Sequence, residues 1–376
     1  MTNPPGVDAS DDVPREVYLD SASGMSLHPA ARSILERALT AAYADPRRLH
    51  QAGRRAQLVL ENARASVAES LGVRPDEVTF TSSGTRACHL GLLGLARPGA
   101  TVVASAVEHN AVMHAGEWHA ERGGGFETAP VDSLGRLLPG TPTDADVLAL
   151  QSANHEVGTV QHVDEVAAAH AGAVFVDACA SGGRLALPRR WDAVALSAHK
   201  WGGPAGVGVL LVRKGARWRP PFPADDRADE RATGFENVPA ALAAAAALAE
   251  VVAGTDEQER QRRLIDRVRA SVAHLEDIDV VGDPVDRLPH LVTFSCLYVD
   301  GEALVTELDR RGFGVASGSA CTASTLQPSH VLAAMGALTQ GNVRLSVDEA
   351  TTEADIDRFL AILPGTIADL RAQAGL

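Results

Sequence analysis

The chain is 376 residues long, with a hydrophobic content of 45%, a charged content of 22% and a formal net charge of −14. This length favours two domains, or one large domain with a smaller companion, over a single core. The negative charge argues against nucleic acid or anionic lipid as a partner, because both require clustered cations. The composition favours a globular protein with a small-molecule substrate or protein partners.

Short runs of β-branched residues bounded by turn residues alternate with stretches of helical periodicity. This alternation is typical of βαβ units and predicts an α/β fold with a mainly parallel sheet. Functional side chains in such sheets gather at the carboxyl ends of the strands. The predicted strands span residues 78–81, 101–105, 146–151, 173–177, 193–197 and 207–212.

The last third of the chain has a different pattern. Residues 239–249 form an Ala-rich run that is too short to span a bilayer, so we expect a buried helix and no membrane segment. A charged helix over 255–274, a strand at LVTFSC, a helix, a Gly/Ser loop, a strand near Val343 and a final helix follow. We therefore predict an N-terminal arm at 1–17, a large domain at 18–254 and a small α+β domain at 255–376. We expect the arm to pack against the small domain.

The cysteines show no CxxC or other zinc-ligand spacing, and no signal peptide is apparent. We therefore expect free thiols in a reducing, cytoplasmic environment. His109, His114 and His119 are spaced by five residues, which does not align them on one helix face, so no metal site is expected. The four cysteines are Cys88, Cys179, Cys296 and Cys321.

Lysine occurs only at positions 200 and 214, although Lys and Arg together number 34. Lys200 lies in SAHKWGGP, directly after a predicted strand. A partly desolvated lysine at a strand end can lose its proton and form a Schiff base with an aldehyde. A solvated surface position is the alternative, and it suits Lys214, which lies beside Arg213 and Arg217. Lys200 is the predicted reactive amine.

Asp177 ends an apolar run, so its carboxylate is predicted at the edge of the sheet, where it could keep a pyridine nitrogen protonated. Capping a helix is the alternative. The turn TSSGT at 81–85 follows a strand and offers hydroxyls and the backbone N–H groups of a helix start, which bind phosphate. An amine, a carboxylate and a phosphate cradle are together what pyridoxal 5′-phosphate requires of a protein.

Two further side chains are candidates for the same site. His109 follows the strand at 101–105 and could stack on a cofactor ring and move protons, although a lone histidine is more often structural. Arg344 alternates with apolar residues on a strand and could clamp a carboxylate with its planar fork. A surface position is the alternative for this arginine.

Cys321 lies in ASGSACTAS, a run of small and hydroxylic residues that cannot pack a core. Such a run predicts a mobile loop with an accessible, nucleophilic thiol. The alternative, a small buried hydrophobic residue, fits Cys296 in LVTFSCLYV better.

From about Val17 to the C-terminus, these segments resemble the NifS/IscS-type cysteine desulfurases of the class V aminotransferase superfamily. The most specific matches are SAHKWGGPAGVG, SGSACTAS followed by QPSHVLAAMG, and VRLS followed by TTEADID; SANHEVGTVQ, VEHNAV and TSSGT are weaker. The resemblance implies the fold type I architecture of pyridoxal-phosphate enzymes, with a seven-stranded, mainly parallel sheet in the large domain and a smaller C-terminal α+β domain. It also implies a homodimer in which each active site is completed by the neighbouring subunit.

The resemblance assigns roles to individual positions. It makes Lys200 the cofactor-bearing lysine, Asp177 the partner of the pyridine nitrogen and His109 the stacked acid/base residue. It places the substrate carboxylate on Asn154 and Arg344. The residues that it gives to the cofactor phosphate are Gly84, Thr85, Ser197 and His199.

The same resemblance implies that Cys321 takes sulfur from L-cysteine as a persulfide while L-alanine leaves. The sulfur would pass to an acceptor protein such as an iron–sulfur scaffold or a thiolation enzyme.

Several positions depart from the family pattern. Ala180 stands where a glutamine usually bonds the cofactor's phenolic oxygen, and Phe235 stands where a threonine usually reaches the neighbouring subunit's phosphate. Residues 221–226 replace a Gly-rich stretch, and Arg86 and His89 replace Glu and Asn. Each lost hydrogen bond costs on the order of 1 kcal/mol. Weaker cofactor retention, a changed dimer edge and a specialised role would follow.

These departures leave two alternatives open. The chain could catalyse another class V reaction, as an aminotransferase, an epimerase or a selenocysteine lyase. It could also be a non-catalytic protein of the same fold that assists a sulfur-transfer partner. The set Lys200, Asp177, His109, Arg344 and Cys321 argues against loss of catalysis, because a binding module has no use for the nucleophile.

Overall fold

The computed structural model describes residues 16–138, 144–223, 225, 229–317 and 328–375. The strands are β1 (Val17–Tyr18), β2 (Val78–Thr81), β3 (Thr101–Ser105), β4 (Gly125–Ala129), β5 (Val147–Gln151), β6 (Ala173–Asp177), β7 (Ala193–Ser197), β8 (Gly208–Val212), β9 (Ile278–Val281), β10 (Leu291–Cys296), β11 (Phe313–Gly314) and β12 (Asn342–Ser346).

The helices are α1 (Pro29–Ala41), α2 (Gln51–Leu71), α3 (Gly84–Leu95), α4 (Asn110–Ala120), α5 (Val163–Ala168), α6 (Val238–Ala253), α7 (Thr255–Val272), α8 (Gly301–Arg310), α9 (His330–Met335) and α10 (Glu353–Gln373). Short 3₁₀ turns span Pro75–Glu77 and Ala198–Lys200.

Seven strands of the described residues form one sheet in the order β2-β8-β7-β6-β5-β3-β4. Strand β8 runs antiparallel to both neighbours, whereas β7, β6, β5, β3 and β4 are mutually parallel. The predicted α/β fold with a mainly parallel sheet is confirmed. Because parallel strands point the same way, the carboxyl ends of β5, β6 and β7 meet at one edge.

The central strands are buried on both faces, as their continuous apolar sequences predict. All five residues of β5, β7 and β8 are buried. Val174 and Val176 of β6 pack into the apolar core beneath α2 and α6, whereas Phe175 faces α3 and α4. A Cβ atom at Gly91 would lie 2.5 Å from Phe175 Cε2, so this glycine allows α3 to approach the sheet closely.

Helix α6 is the buried Ala-rich helix that the sequence predicts. The Asn237 side chain accepts a hydrogen bond from Ala240 N at its start, and Pro239 occupies the first turn. No single helix of the described residues combines the length and apolarity needed to cross a membrane. Helices α6 and α7 meet those criteria only as a pair, and the pair is bent by 72°.

A second apolar core lies around the antiparallel sheet β12-β10-β9 and helices α7, α8 and α10. Strand β1 pairs in parallel with β11, and Val17 and Leu19 belong to this core. Residues 17–19 therefore lie against the C-terminal part of the chain. The domain boundary at residue 254 stays a prediction.

Candidate active site

Lys200 and Asp177 leave neighbouring parallel strands at the same edge of the large sheet. Asp177 is the last residue of β6 and is paired with Ala195 of β7. Strand β7 ends at Ser197, and the following 3₁₀ turn presents Lys200. Lys200 is half-buried, and its Nζ donates a hydrogen bond to the carbonyl oxygen of Ala22. The structure therefore brings the predicted amine and the predicted carboxylate to one place.

Asp177 is a buried carboxylate with a fixed orientation. Its side chain is only 6% exposed, and Oδ1 accepts a hydrogen bond of 2.8 Å from the backbone N–H of Cys179. Its negative charge raises the pKa of His109 and so partly opposes the lowering of that pKa by burial. Such a carboxylate can stabilise a cationic nitrogen brought against it.

His109 caps the start of α4. Its Nδ1 accepts a hydrogen bond of 3.0 Å from Ala111 N, so the neutral imidazole carries its proton on Nε2. Burial lowers the pKa of His109, Asp177 counteracts this effect, and Lys200 adds to it. The His109 ring meets the ring of His155 edge-on, with centroids 4.8 Å apart. The geometry therefore holds a neutral histidine with a defined tautomer beside Asp177 and Lys200.

The four residues assigned to the phosphate meet where α3 begins. Gly84 and Thr85 form the first turn of α3, and the side chain of Ser83 caps this helix by accepting from Arg86 N at 3.0 Å. A Cβ atom at Gly84 would lie 2.6 Å from Ser197 Cβ, so a glycine is required for this contact. A helix N-terminus favours anions.

The remaining phosphate candidate, His199, joins the same group. Its Nδ1 lies 3.1 Å from Ser197 Oγ. Burial, followed by the charge of Lys200, lowers the pKa of His199. The imidazole therefore favours the neutral form, in which it can exchange a hydrogen bond with this hydroxyl.

Arg344 reaches the site from β12 and is only 5% exposed. Its Nη1 donates to His155 O at 2.9 Å, and its Nη2 donates to Asp20 Oδ1 at 2.8 Å and to Ser23 Oγ at 2.6 Å. The guanidinium Nε is buried without a hydrogen-bond partner. A buried donor without a partner is costly, so this atom is available to a ligand carboxylate.

Asn154 is fully buried, and its side chain is already bonded to the protein. Its Nδ2 donates to Val107 O at 3.0 Å, and its Oδ1 accepts from Glu156 N and Val157 N, each at 2.8 Å. These bonds fix the loop after β5 against the segment that carries His109. A contact between Asn154 and the substrate stays a prediction.

Cys321 lies in residues 318–327, outside the described residues. The chain on both sides of this segment is attached near the site. Ala316 exchanges backbone hydrogen bonds of 3.1 Å and 2.7 Å with Arg344, and Ser329 Oγ donates to Glu156 Oε2 at 2.8 Å.

The sequence did not single out four residues that the structure places at this edge. Asp20 and Ser23 bond to Arg344, His155 contacts His109, and Glu108 is a fully buried carboxyl group beside Asp177. Glu108 and His155 lie inside the quoted motifs VEHNAV and SANHEVGTVQ, which was the only signal for them. No spacing in the sequence links Asp20 to Arg344, because 323 residues separate them.

Comparison with known proteins shows the family. A family model described as aminotransferase class-V matches residues 17–359. The chain is 33% identical to the protein named cysteine desulfurase IscS 1 of Archaeoglobus fulgidus, over 96% of this chain and 99% of that protein. It is 36% identical to a cysteine desulfurase of Cereibacter sphaeroides, over 95% and 97% of the two chains.

A solved structure titled NIFS-like protein has a TM-score of 0.86 and 27% identity, and the match covers 94% of this chain and all of that chain. The sheet order and the site at its carboxyl edge thus define the class V aminotransferase architecture, which is the fold type I architecture that the sequence predicts. The chain belongs to this family, in its branch of NifS/IscS-type cysteine desulfurases.

Proposed function

We propose that this protein is a pyridoxal-5′-phosphate-dependent L-cysteine desulfurase that releases L-alanine and forms a persulfide on Cys321. The observation that carries the proposal is the meeting of Lys200, Asp177, His109 and Arg344 at the carboxyl edge of the large sheet. The relatives support the proposal, because the chain is 33% and 36% identical in sequence to two cysteine desulfurases over nearly its whole length.

The residues at this edge fit the proposed cofactor. Lys200 offers the amine for its aldehyde, the buried Asp177 offers an anion for its pyridine nitrogen, and the α3 N-terminus with Thr85, Ser197 and His199 offers donors for its phosphate. When bound, the cofactor supplies an electron sink for the substrate carbons.

Proton movement is assigned to His109 and Lys200. His109 keeps Nδ1 engaged with the α4 backbone, so its neutral ring can donate a hydrogen bond or a proton only from Nε2–H. Burial lowers the pKa of His109, which favours this neutral form. Lys200 Nζ, held by Ala22 O before the reaction, is the basic group to which proton acceptance is assigned.

Substrate orientation is assigned to Arg344, with Asn154 beside it. The free Nε–H of Arg344 lies in a buried setting, where a charge-assisted bond to a carboxylate is strong. Binding the α-carboxylate at Arg344 would orient the rest of L-cysteine toward Lys200.

The sulfur step is assigned to Cys321. Its thiolate attacks the sulfur of the bound L-cysteine, a sulfur–sulfur bond forms and the substrate carbon–sulfur bond breaks. The electron pair of the broken bond stays on carbon, which takes a proton and becomes the methyl group of L-alanine. The persulfide sulfur then goes to an acceptor protein, an iron–sulfur scaffold or a thiolation enzyme. We further propose a homodimer in the cytoplasm.

Two positions motivate the rival proposal of a non-catalytic protein. Ala180 packs against an apolar cluster and offers no hydrogen bond to a ligand, and the Phe235 side chain is 57% exposed. Arg86 lies over the ring of Phe222, with its Cζ 4.3 Å from the ring centroid. These features weaken cofactor contacts at the periphery but leave Lys200 and Asp177 in place.

Alanine release by the purified protein, supplied with L-cysteine, pyridoxal phosphate and a thiol reductant, tests the proposal. We expect alanine and sulfide in equal amounts over many turnovers. Bound cofactor without alanine would support the non-catalytic protein. Formation of a keto acid would indicate an aminotransferase, racemised substrate would indicate an epimerase, and alanine from selenocysteine alone would indicate a selenocysteine lyase.

A further inference from the structure

Two thiols and a carboxylate that are distant in the sequence meet at the edge of the proposed cofactor site. Cys88 lies on α3, Asp177 ends β6 and Cys179 follows it. The two sulfur atoms and one carboxylate oxygen all lie within 4.8 Å of one another. Cys88 and Asp177 are buried, whereas Cys179 is partly exposed. We call these three residues the dithiol cluster.

We propose that the dithiol cluster binds a soft divalent cation such as Zn²⁺ or Cd²⁺, which competes with the cofactor's pyridine nitrogen for Asp177. The competition, unlike the cation site itself, rests on the proposed function. Two thiolates and a carboxylate are ligands of the type that Zn²⁺ prefers.

The spacing of the ligand atoms suits a tetrahedral ion. With zinc–sulfur bonds of about 2.3 Å, tetrahedral geometry separates two sulfur ligands by roughly 3.8 Å. The ligand atoms lie within 4.8 Å of one another, a limit about 1 Å above this separation. A disulfide would require the two sulfurs to approach to about 2.05 Å, a much larger movement.

A second observation favours a cation here. The Glu108 carboxyl group is fully buried, its Oε1 accepts from Gln151 N at 2.6 Å, and its Oε2 has no hydrogen-bond partner. Burial, followed by the charge of Asp177, raises the pKa of Glu108 well above its usual value, which favours the protonated, uncharged form. A divalent cation at the cluster would offset the charge of Asp177 that acts on this buried carboxyl group.

Zn²⁺ and Cd²⁺ bind the thiolate form of cysteine, so binding at the cluster releases thiol protons and the affinity rises with pH.

Cys179 connects the cluster with both solvent and the cofactor site. The residue is partly exposed, whereas its thiol is enclosed. Its backbone N–H donates to Asp177 Oδ1 at 2.8 Å, so the same carboxylate is shared by the cluster and the proposed pyridine contact. An ion bound by Asp177 neutralises the charge that the pyridine nitrogen needs.

The test is a Cd²⁺ titration of the full-length protein in a Cys321→Ser background, which removes the fourth thiol. Thiolate-to-cadmium charge-transfer absorbance and equilibrium dialysis report binding. We expect one Cd²⁺ per chain. Cys88→Ser or Cys179→Ser should lower the Cd²⁺ affinity by about a hundredfold, because losing a direct ligand costs at least as much as losing a residue that only supports a ligand. Cys296→Ser, a buried cysteine in another core, is the matched control and should bind Cd²⁺ like the parent.

Circular dichroism identifies any variant that fails to fold, and Asp177→Asn, which keeps both thiols, provides a second variant that should also weaken binding. Equal Cd²⁺ affinity in the parent, Cys88→Ser and Cys179→Ser proteins would overturn the site, and so would a parent that binds no Cd²⁺.

The competition is measured separately, by repeating the titration with added pyridoxal phosphate. We expect a lower Cd²⁺ affinity, and an unchanged affinity in a protein shown to bind the cofactor would overturn the competition. Because Cd²⁺ binding alone is measured without L-cysteine, a protein that binds Cd²⁺ but releases no alanine would refute the proposed function and leave the cation site standing.

Discussion

Arg344 Nη2 donates to Asp20 Oδ1 at 2.8 Å, so the arginine assigned to the substrate carboxylate already binds a carboxylate of the protein. The pair is largely buried, with the Arg344 side chain 6% exposed and that of Asp20 21% exposed. Asp20 compensates the charge of Arg344 and leaves the guanidinium Nε for a ligand. The guanidinium is thus oriented before a substrate binds.

Arg344→Lys should raise the KM for L-cysteine, because an ammonium group offers no planar fork. Loss of a charge-assisted hydrogen bond costs about 1.5 to 3 kcal/mol, which corresponds to roughly ten- to hundredfold in KM. Steady-state alanine release measures the effect. Arg189→Lys, at a side chain that is 95% exposed, is the control. An unchanged KM in Arg344→Lys would remove this residue from the substrate site.

Lys200→Ala should lose the bound cofactor's yellow colour, whereas Lys214→Ala should keep it. Lys214 is exposed and lies beyond the end of β8, away from the carboxyl edge of β6 and β7. Borohydride reduction followed by peptide mapping should place the pyridoxyl group on Lys200. A pyridoxyl group on Lys214 would refute the assignment.

Cys321→Ser should keep the cofactor and release almost no alanine. Neither cofactor attachment nor binding at Arg344 uses this thiol, whereas a serine hydroxyl at neutral pH is a poor nucleophile. Cofactor absorbance and alanine release are measured on the same preparation, and Cys296→Ser, a buried cysteine, is the control. A persulfide trapped on Cys88, Cys179 or Cys296 instead would contradict the mechanism.

His155→Asn should make stability less dependent on pH. Burial, followed by the positive charge that His109 carries when protonated and by that of Arg344, lowers the pKa of His155 well below its usual value. The unfolded histidine, with a pKa near 6.5, binds a proton that the folded one excludes. The stability from the neutral ring is therefore complete above about pH 6.5 and decreases as pH falls, by about 1.4 kcal/mol per unit.

Urea unfolding between about pH 6.5 and 5 measures this dependence, and the His155→Asn slope should be shallower by that amount. His274→Asn, which removes an exposed histidine, is the matched control. Equal slopes in the parent and His155→Asn would show that His155 does not contribute.

The sequence predicted the buried strands best. Strands β2, β3, β6 and β7 have the predicted bounds, and β5 and β8 each begin one residue later than predicted. A strand that is covered on both faces of the sheet has a continuous apolar sequence, and turn residues at each end of that sequence mark where the strand begins and ends. Strand β4 was missed because its sequence, GFETA, follows two glycines and mixes polar and apolar residues at a half-exposed edge.

The sequence could predict those site residues whose chemistry restricts the residue type. It could not predict contacts between residues that only the folded chain brings together. Lys200 could be identified because lysine is scarce, and Asp177 because it ends an apolar run. The contact between Asp20 and Arg344 and the dithiol cluster could not be identified, because each joins residues from different elements without a shared motif. The assigned role of Cys321 stays a prediction.

The segment from Asp20 to Ser23 contacts both assigned ligand-binding groups. Asp20 and Ser23 bond to Arg344, and Ala22 O accepts from Lys200 Nζ. A change that moves this segment therefore acts on Arg344 and on Lys200 together. If ligand binding at one group moves the segment, thermodynamic reciprocity requires ligand binding at the other group to be coupled to it by the same free energy in both directions.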